Sequence, residues 1–330
     1  MGRFSPVVVE TMLAHSANGG SMKKNKTATL RELLEKHIEL RTAVGGYTLT
    51  RYGKSLNTKF GGQVGAALVK DIDFEWVARW VNDLTINERL APKTIRNYFG
   101  FLSSAFKTAI RLGWRRDNPC YGVRLPGPNS IEAPVKVIST EEWGRIMLQM
   151  DPHYRLFFQF LRVTGMRLGE ATALRGTDFE YGGETVLVNV SKAWKRDGQG
   201  GRVIGPPKTA SSRRKVALNT SLAKMLVPLV KEAGGGLVFT NMIGTPIQSS
   251  AIHKHWGPAC IAAGFTEENK PRIHDIRHTS SSMFLHGSAD MHSLSRRLGH
   301  KDIKMTVNVY GHLMPEEHRK MAEIADEIFE

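Results

Sequence analysis

Apolar residues recur along the first third of the chain at intervals of three and four, the period of helices that each bury one face. Thr29-Leu-Arg-Glu32 has the form of a capping box, and Leu30, Leu33, Leu34, His37 and Ile38 follow with helical spacing. A second helix is predicted from Thr48 to about Phe60, closed by Gly61-Gly62. Asp73 caps a third, with Val77, Trp80, Val81 and Leu84 as its apolar face. Pro92 opens a fourth, whose stripe of Ile95, Phe99, Leu102, Phe106 and Ile110 runs until Gly113. Residues 27–123 therefore read as a small all-helical bundle, and the mixed residues 1–26 before it as a flexible tail.

The pattern then changes. Asn118-Pro119, Leu125-Pro-Gly-Pro128 and Pro134 give residues 124–138 the composition of a linker. Beyond it, Ser139 or Thr140 caps a helix, and a longer apolar helix runs from Pro152 to about Val163. Thr164-Gly165 turns into a further short one. Val186–Val190 alternates in part and is rich in valine, which predicts a strand. Lys215–Leu218 predicts a second, and Leu237–Phe239 a short third. The glycines and prolines from Gly198 to Pro207 predict a long turn region between them. Leu313, Met321, Ile324, Ala325, Ile328 and Phe329 predict a closing helix from about Pro315 to Phe329, apolar enough to need a surface to cover. The fold class expected is mainly α with a small antiparallel β-sheet: a helical bundle followed by an α+β domain over 139–330.

Charge narrows the choice of partner. The 330 residues carry 46 Lys+Arg against 31 Asp+Glu, a formal +15, which favours a polyanion, and nucleic acid is the commonest one. Lys93, Arg96, Lys107 and Arg111 leave the apolar stripe of the fourth helix. They are candidates to track a phosphate backbone, the plain alternative being a solvated basic face. Cys120 and Cys260 are the only cysteines, too few for a disulfide framework or a cysteine-based zinc site, and read as buried thiols in a reducing compartment. No stretch approaches the apolar length of a membrane span, so a cytoplasmic protein is expected.

The chemistry gathers in residues 274–310, which hold His274, Arg277, His300 and Tyr310. A guanidinium offers phosphate oxygens a planar fork of donors and stays charged. An imidazole can donate to phosphate or move a proton near neutrality, and a positioned tyrosine can form a covalent intermediate. Two further groups join them upstream. Arg167 leaves the turn in TGMRLGEATAL, three residues before Glu170, and Lys208 sits in a polar turn in PPKTASSRRKVAL. Taken alone, each has an ordinary reading as a helix-start ion pair or a solvated loop lysine.

In this order the six groups resemble the tyrosine recombinase (phage integrase) family. TGMRLGEATAL is similar to the family's first arginine box and PPKTASSRR to its strand-turn lysine. HDIRHT is similar to its His-x-x-Arg box, and LGHKDIKMTVNVYGH to its closing His-to-Tyr box. The resemblance implies a core-site-binding domain at 27–123 and a catalytic domain at 139–330. It implies a site-specific recombinase, integrating or excising a mobile element, in which Tyr310 attacks the scissile phosphate and forms a 3′-phosphotyrosyl link. Arg167 and Arg277 would grip the non-bridging oxygens, Lys208 would protonate the leaving 5′ oxygen, His274 would assist proton removal from Tyr310, and His300 would bond phosphate. Glu170 and His278 would orient Arg167 and the His-x-x-Arg turn. No cofactor, ATP or metal is expected.

Double-stranded DNA at attachment sites is the implied substrate and a homotetramer on DNA the implied assembly, its closing helix docked on a neighbouring protomer. An excisionase or a host DNA-bending protein is the candidate accessory partner. The 26 residues ahead of the bundle are too few for the arm-site-binding domain that many phage integrases carry. Two other functions stay open at this point: a type IB topoisomerase-like nicking-closing enzyme, and a recombinase-like DNA-binding protein without catalysis.

Overall fold

The computed structural model describes residues 27–42, 45–127, 136–182, 185–197, 201–207 and 210–310. The chain divides into two compact units, Met1–Ala133 with Asp197–Gln199, and Pro134–Arg196 with Gly200–Glu330. The expected tail at 1–26, the apolar closing helix at 315–329, and the centre of the linker lie outside the described residues.

The first unit is helical. Its elements are α1 (Leu30–Glu39), α2 (Gly46–Thr58), α3 (Gly62–Ala66), α4 (Phe74–Ile86) and α5 (Pro92–Arg111). The capping box forms: the Thr29 amide donates to the Glu32 carboxylate at 2.7 Å, and the Glu32 amide to the Thr29 hydroxyl. Asp73 caps α4 by accepting from the Trp76 amide at 2.7 Å. Leu30, Leu33, Leu34, Phe60, Ile72, Val77, Leu84, Ile95, Leu102 and Phe106 meet in one core.

Three details differ from the sequence reading. The second helix begins at Gly46, with Gly45 as its cap, rather than at Thr48. It ends at Thr58, capped by Lys59, before Gly61-Gly62 is reached, and Gly62, at φ +55°, starts another short helix. On α5, Phe99 and Ile110 are only half-buried, while Phe101, Ala105 and Ala109 reach the core. The buried arc is wider than a stripe of large residues suggests, and small side chains let neighbouring helices approach it.

The second unit opens with α6 (Thr140–Gln149), capped by Ser139, and α7 (Pro152–Thr164), which ends in the left-handed Gly165. The short helix α8 (Leu168–Ala171) follows. Strands β1 (Phe179–Gly182), β2 (Thr185–Val190) and β5 (Arg214–Ala217) then make an antiparallel sheet in the order β1-β2-β5. Val188 pairs with Phe179 on one side and Val216 on the other. Val186, Val188 and Val190 all face the core, as the alternation predicts. Helices α9 (Thr220–Ala233), α10 (Ser249–Ala262), α11 (Ile273–His286), α12 (Met291–Leu298) and α13 (Lys304–Tyr310) complete the unit. Helix α11 lies against α7. The core gathers Phe157, Phe158, Phe160, Leu174, Leu226 and Trp256 around them.

Within the stretch expected to be a long turn, Arg202–Gly205 is instead a strand, β4, paired with β3 (Ala193–Arg196) ahead of it; residues 198–200 lie outside the described residues. Trp194 pairs with Ile204 across it, the Arg202 guanidinium lies 5.0 Å from the indole centroid, and the indole N–H donates to the Thr172 carbonyl at 3.0 Å. Cross-strand packing of an aromatic with an aliphatic side chain outweighs the turn preference of the flanking glycines. Leu237–Phe239 forms no strand; Leu237 makes one bridge to Arg175. Strand β1 was not signalled, being short and exposed after Phe179. Both cysteines are free and buried, as expected, and burial pushes each thiol up to about 12. Among the described residues no helix is long and apolar enough to cross a membrane.

Candidate active site

Arg167 stands where α7 has just ended. Gly165 at φ +62° reverses the chain, and a Cβ there would lie 3.0 Å from a Leu298 methyl and 3.1 Å from the Ser280 hydroxyl, so only glycine fits easily. Three residues beyond Arg167, Glu170 is 3% exposed and accepts from the Arg167 amide at 3.0 Å and the Arg167 Nη1 at 2.9 Å. It also accepts from Arg214 Nη2 at 2.9 Å. Burial alone would raise the Glu170 carboxyl, but the Arg214 and Arg167 guanidiniums more than offset it and hold the group below the usual range. The Arg167 side chain keeps about a third of its surface open, with Nη2 3.4 Å from the Gly299 carbonyl.

Arg277, on α11, is 4% exposed. Its Nη1 donates to the Gly165 carbonyl at 2.7 Å and its Nη2 to the Leu298 carbonyl at 2.8 Å. Both acceptors sit at helix C-termini, of α7 and α12, where unpaired carbonyls and the helix dipole concentrate negative potential. A buried cation with no carboxylate ion pair among the described residues is thereby tolerated and locked in direction. Burial, then the charge of Arg167, lowers its hold on the proton to about 9, so it remains charged at neutral pH.

The closing box starts at the last residue of α12 and passes through a second left-handed glycine into α13. Gly299, at φ +68°, ends α12, and a Cβ there would approach Arg214 Nη1 to 3.0 Å. His300 follows, its Nδ1 2.8 Å from the buried Thr306 hydroxyl, which leaves Nε2 as the nitrogen a ligand would meet. Burial, then Arg277 and Arg167, pushes His300 down to about 4. Tyr310, at the end of α13, packs its ring with Leu285, Leu294 and Leu298 and is 2% exposed. Burial raises its hydroxyl, opposed by Ser281 and Arg277.

The Tyr310 oxygen lies 2.6 Å from Nδ1 of His278. His274, the residue expected to serve that hydroxyl, is one helical turn earlier on α11, its ring edge-on to His278 at 4.9 Å between centroids. Burial, then Arg277, lowers His274, and burial, then His274, lowers His278 to about 4.

The fold thus gathers Arg167, Glu170, His274, Arg277, His278, His300 and Tyr310 into one site within the second unit. Lys208, in the connection between β4 and β5, lies outside the described residues. Sequence reasoning missed Arg214 and Arg297. Arg214 is 6% exposed, with its Nε on the Arg297 carbonyl at 2.6 Å. Arg297 donates to the carbonyls of Val163 and Ala217. A signal for Arg214 exists: it is two residues before the buried Val216 on β5, which puts an arginine on the core-facing side of a strand. On the first unit, Lys93, Arg96, Lys107 and Arg111 are all exposed on α5. At 3.6 residues per turn they fall within about 60° of one another, away from the buried arc.

Comparison with known proteins places this geometry in a class. The chain matches the phage integrase family over residues 136–317, more than half its length, and belongs to that family. It is therefore a site-specific recombinase of the tyrosine type. It is 31% identical over 257 residues to the ICEBs1 integrase of Bacillus subtilis, covering 72% of this chain and 67% of that one. It is 22% identical to the integrase of Staphylococcus phage L54a, over 95% of this chain and 97% of the relative. Among solved structures it superposes on the Tn1549 transposon integrase in complex with a circular intermediate DNA, at a TM-score of 0.77 and 20% identity. That match covers 90% of this chain and 99% of the other. A lambda integrase tetramer bound to a Holliday junction matches at 0.65 and 20% identity, over 94% and 88%.

Proposed function

We propose that the protein cuts and rejoins duplex DNA at the attachment sites of a mobile element, with Tyr310 as nucleophile. Tyr310 attacks the scissile phosphorus, a 3′-phosphotyrosyl ester forms, and the 5′ oxygen leaves. The ester keeps the energy of the broken bond, so rejoining is the same displacement run backwards. Arg167 and Arg277 bind the non-bridging oxygens, whose charge grows toward the transition state. Donors fixed beforehand contribute about 2.7–4 kcal/mol each in comparable oxyanion sites. His300, with Nδ1 accepting from Thr306, would donate from Nε2 to the same phosphate. Lys208 is the general acid for the leaving oxygen, and His274 a further polar group beside the phosphate.

One observation carries the reading: a buried arginine spent on two helix-terminal carbonyls sits in the same site as an arginine with about a third of its side chain open, with a buried tyrosine at its edge. A surface ion-pair network would need neither the burial nor the tyrosine.

The exposed basic face of α5 fits the backbone of the core site, and residues 27–123 would form the domain that binds it, joined through 124–138 to the catalytic domain at 139–330. The DNA-bound lambda integrase tetramer supports a homotetramer here, with the apolar segment near 315–329 covering a neighbouring protomer. An excisionase or a DNA-bending host protein would set direction. The reaction belongs in the cytoplasm, where the DNA is.

The test uses duplex DNA spanning the element's junction with its chromosome, in EDTA, and compares the wild type with Tyr310→Phe. An SDS-stable protein–DNA adduct with the wild type alone is expected. Specific binding by both without any adduct would overturn the catalytic reading and favour a DNA-binding module.

A further inference from the structure

A tyrosine hydroxyl attacks phosphorus only as its proton departs, and the group nearest that proton is not the histidine of the His-x-x-Arg motif. His278 Nδ1 lies 2.6 Å from the Tyr310 oxygen, a short hydrogen bond between two side chains 32 residues apart. The two elements that carry them are fixed independently of the bond. Helix α11 is held by its buried face against α7 and by the two carbonyl bonds of Arg277. Helix α13 is held by the ring of Tyr310 among Leu285, Leu294 and Leu298, and by Thr306, which is fully buried against His300. The short bond is therefore built by the packing.

We propose that His278 is the general base of the cleavage step, taking the Tyr310 proton on Nδ1, and the general acid that returns it on rejoining. The proposal rests on the tyrosine recombinase reading above. The O–H bond of Tyr310 breaks as N–H forms at Nδ1, and the oxygen's electron pair makes the new O–P bond. The old P–O5′ bond breaks, and its oxygen is protonated by the acid on the far side of the phosphate. For Nδ1 to accept, the neutral ring carries its proton on Nε2.

The charged surroundings keep the ring in that form. His274, Asp275, Arg277 and Arg272 face it from α11 and its cap, Tyr310 from α13, and His300 from the turn between α12 and α13. Burial and the cationic members of this set disfavour the imidazolium before the reaction. Once the phosphate dianion-like transition state forms beside Arg277, a cation at His278 is no longer opposed. His274, whose ring abuts His278 edge-on, then serves the phosphate and steadies the His278 ring.

The experiment follows adduct formation in single turnover on a nicked duplex carrying the mapped core site, so that the released strand diffuses away and the adduct is trapped. Wild type, His278→Gln, His278→Ala and His274→Gln are compared from pH 6 to 9, with DNA affinity measured in parallel to establish that each variant is folded. A general base of this kind contributes about 10²- to 10⁴-fold. His278→Gln, which keeps a hydrogen-bonding side chain of similar reach, should lose that factor at neutral pH. Its rate should then climb with pH, because only the small phenolate fraction attacks. Added imidazole should restore part of the rate to His278→Ala. His274→Gln should be slower, yet keep the shape of the wild-type profile.

If His278→Gln binds DNA normally and forms adduct within about threefold of the wild-type rate, below the span expected of a general base, His278 is not the base. Transfer of the altered profile to His274→Gln would overturn the assignment equally. Absence of any adduct with the wild type would instead sink the recombinase chemistry itself, and the assignment with it.

Discussion

Removing the Glu170 carboxylate should unfold the catalytic unit preferentially, and the size of the effect can be worked from its partners. Glu170 is 3% exposed and accepts three charge-assisted or backbone bonds, from Arg214 Nη2, Arg167 Nη1 and the Arg167 amide, all at 2.9–3.0 Å. Breaking a buried pair from one side leaves an uncompensated charge and costs about 3–5 kcal/mol. Arg214, 6% exposed, is the charge left behind, and its remaining bonds to the Arg297 and Ser212 carbonyls compensate only in part. For a unit of roughly 150–250 residues, 1 kcal/mol moves the midpoint by about 2–4 °C, so Glu170→Gln should lower it by about 6–20 °C.

The assay is thermal and urea unfolding of the whole chain. Trp76, Trp80 and Trp114 report the first unit, and Trp143, Trp194 and Trp256 the second. Two-state analysis cannot be assumed for two units, and the first unit's transition serves as the internal control. The acid limb gives a second reading of the same group. The folded carboxyl is held below its ordinary value of 4.5, so its stabilisation is complete above that pH and is lost as pH falls through the lower folded value. Glu170→Gln should remove this portion of the acid dependence. A Glu170→Gln shift of no more than about 0.5 kcal/mol, the size typical of surface substitutions, would refute the reasoning.

Two further outcomes follow from the geometry. Gly165→Ala places a Cβ 3.0 Å from Leu298 at φ +62° and should cost about 1–3 kcal/mol, read as a lower urea midpoint; because Gly165 also carries the carbonyl that holds Arg277, adduct formation should fall with it. Alanine at Lys93, Arg96, Lys107 or Arg111 should weaken binding to specific and unrelated duplexes alike. For every phosphate that a substitution leaves without its cation, the plot of log affinity against log salt should flatten by about 0.9, whereas an unchanged slope would assign these residues to a solvated face.

What was legible in the chain follows from periodicity and local chemistry. The caps at Thr29, Asp73 and Ser139, the stripe from Ile95 to Phe106 and the valines of β2 could be read because each signal lies within a few residues of the element it specifies. The family boxes could be read because each is a run of consecutive residues. The hairpin of β3 and β4 could not, since what stabilises it is Trp194 meeting Ile204, Arg202 and the Thr172 carbonyl, partners that the fold assembles.

By itself, then, the sequence determined the family, through its boxes, and roughly where the helices run, because residue type and short-range spacing are properties of the linear chain. Only the tertiary structure decided how they pair. The carbonyls that lock Arg277 come from residues 112 and 21 positions away, and the carboxylate of Glu170 is shared with an arginine 44 positions on. Above all, packing of α13 against α11 puts His278, not His274, on the Tyr310 hydroxyl. The two histidines are one helical turn apart, and no local pattern separates them. Their difference arises from which turn of α11 meets the tyrosine, and that depends on how the two helices are buried together.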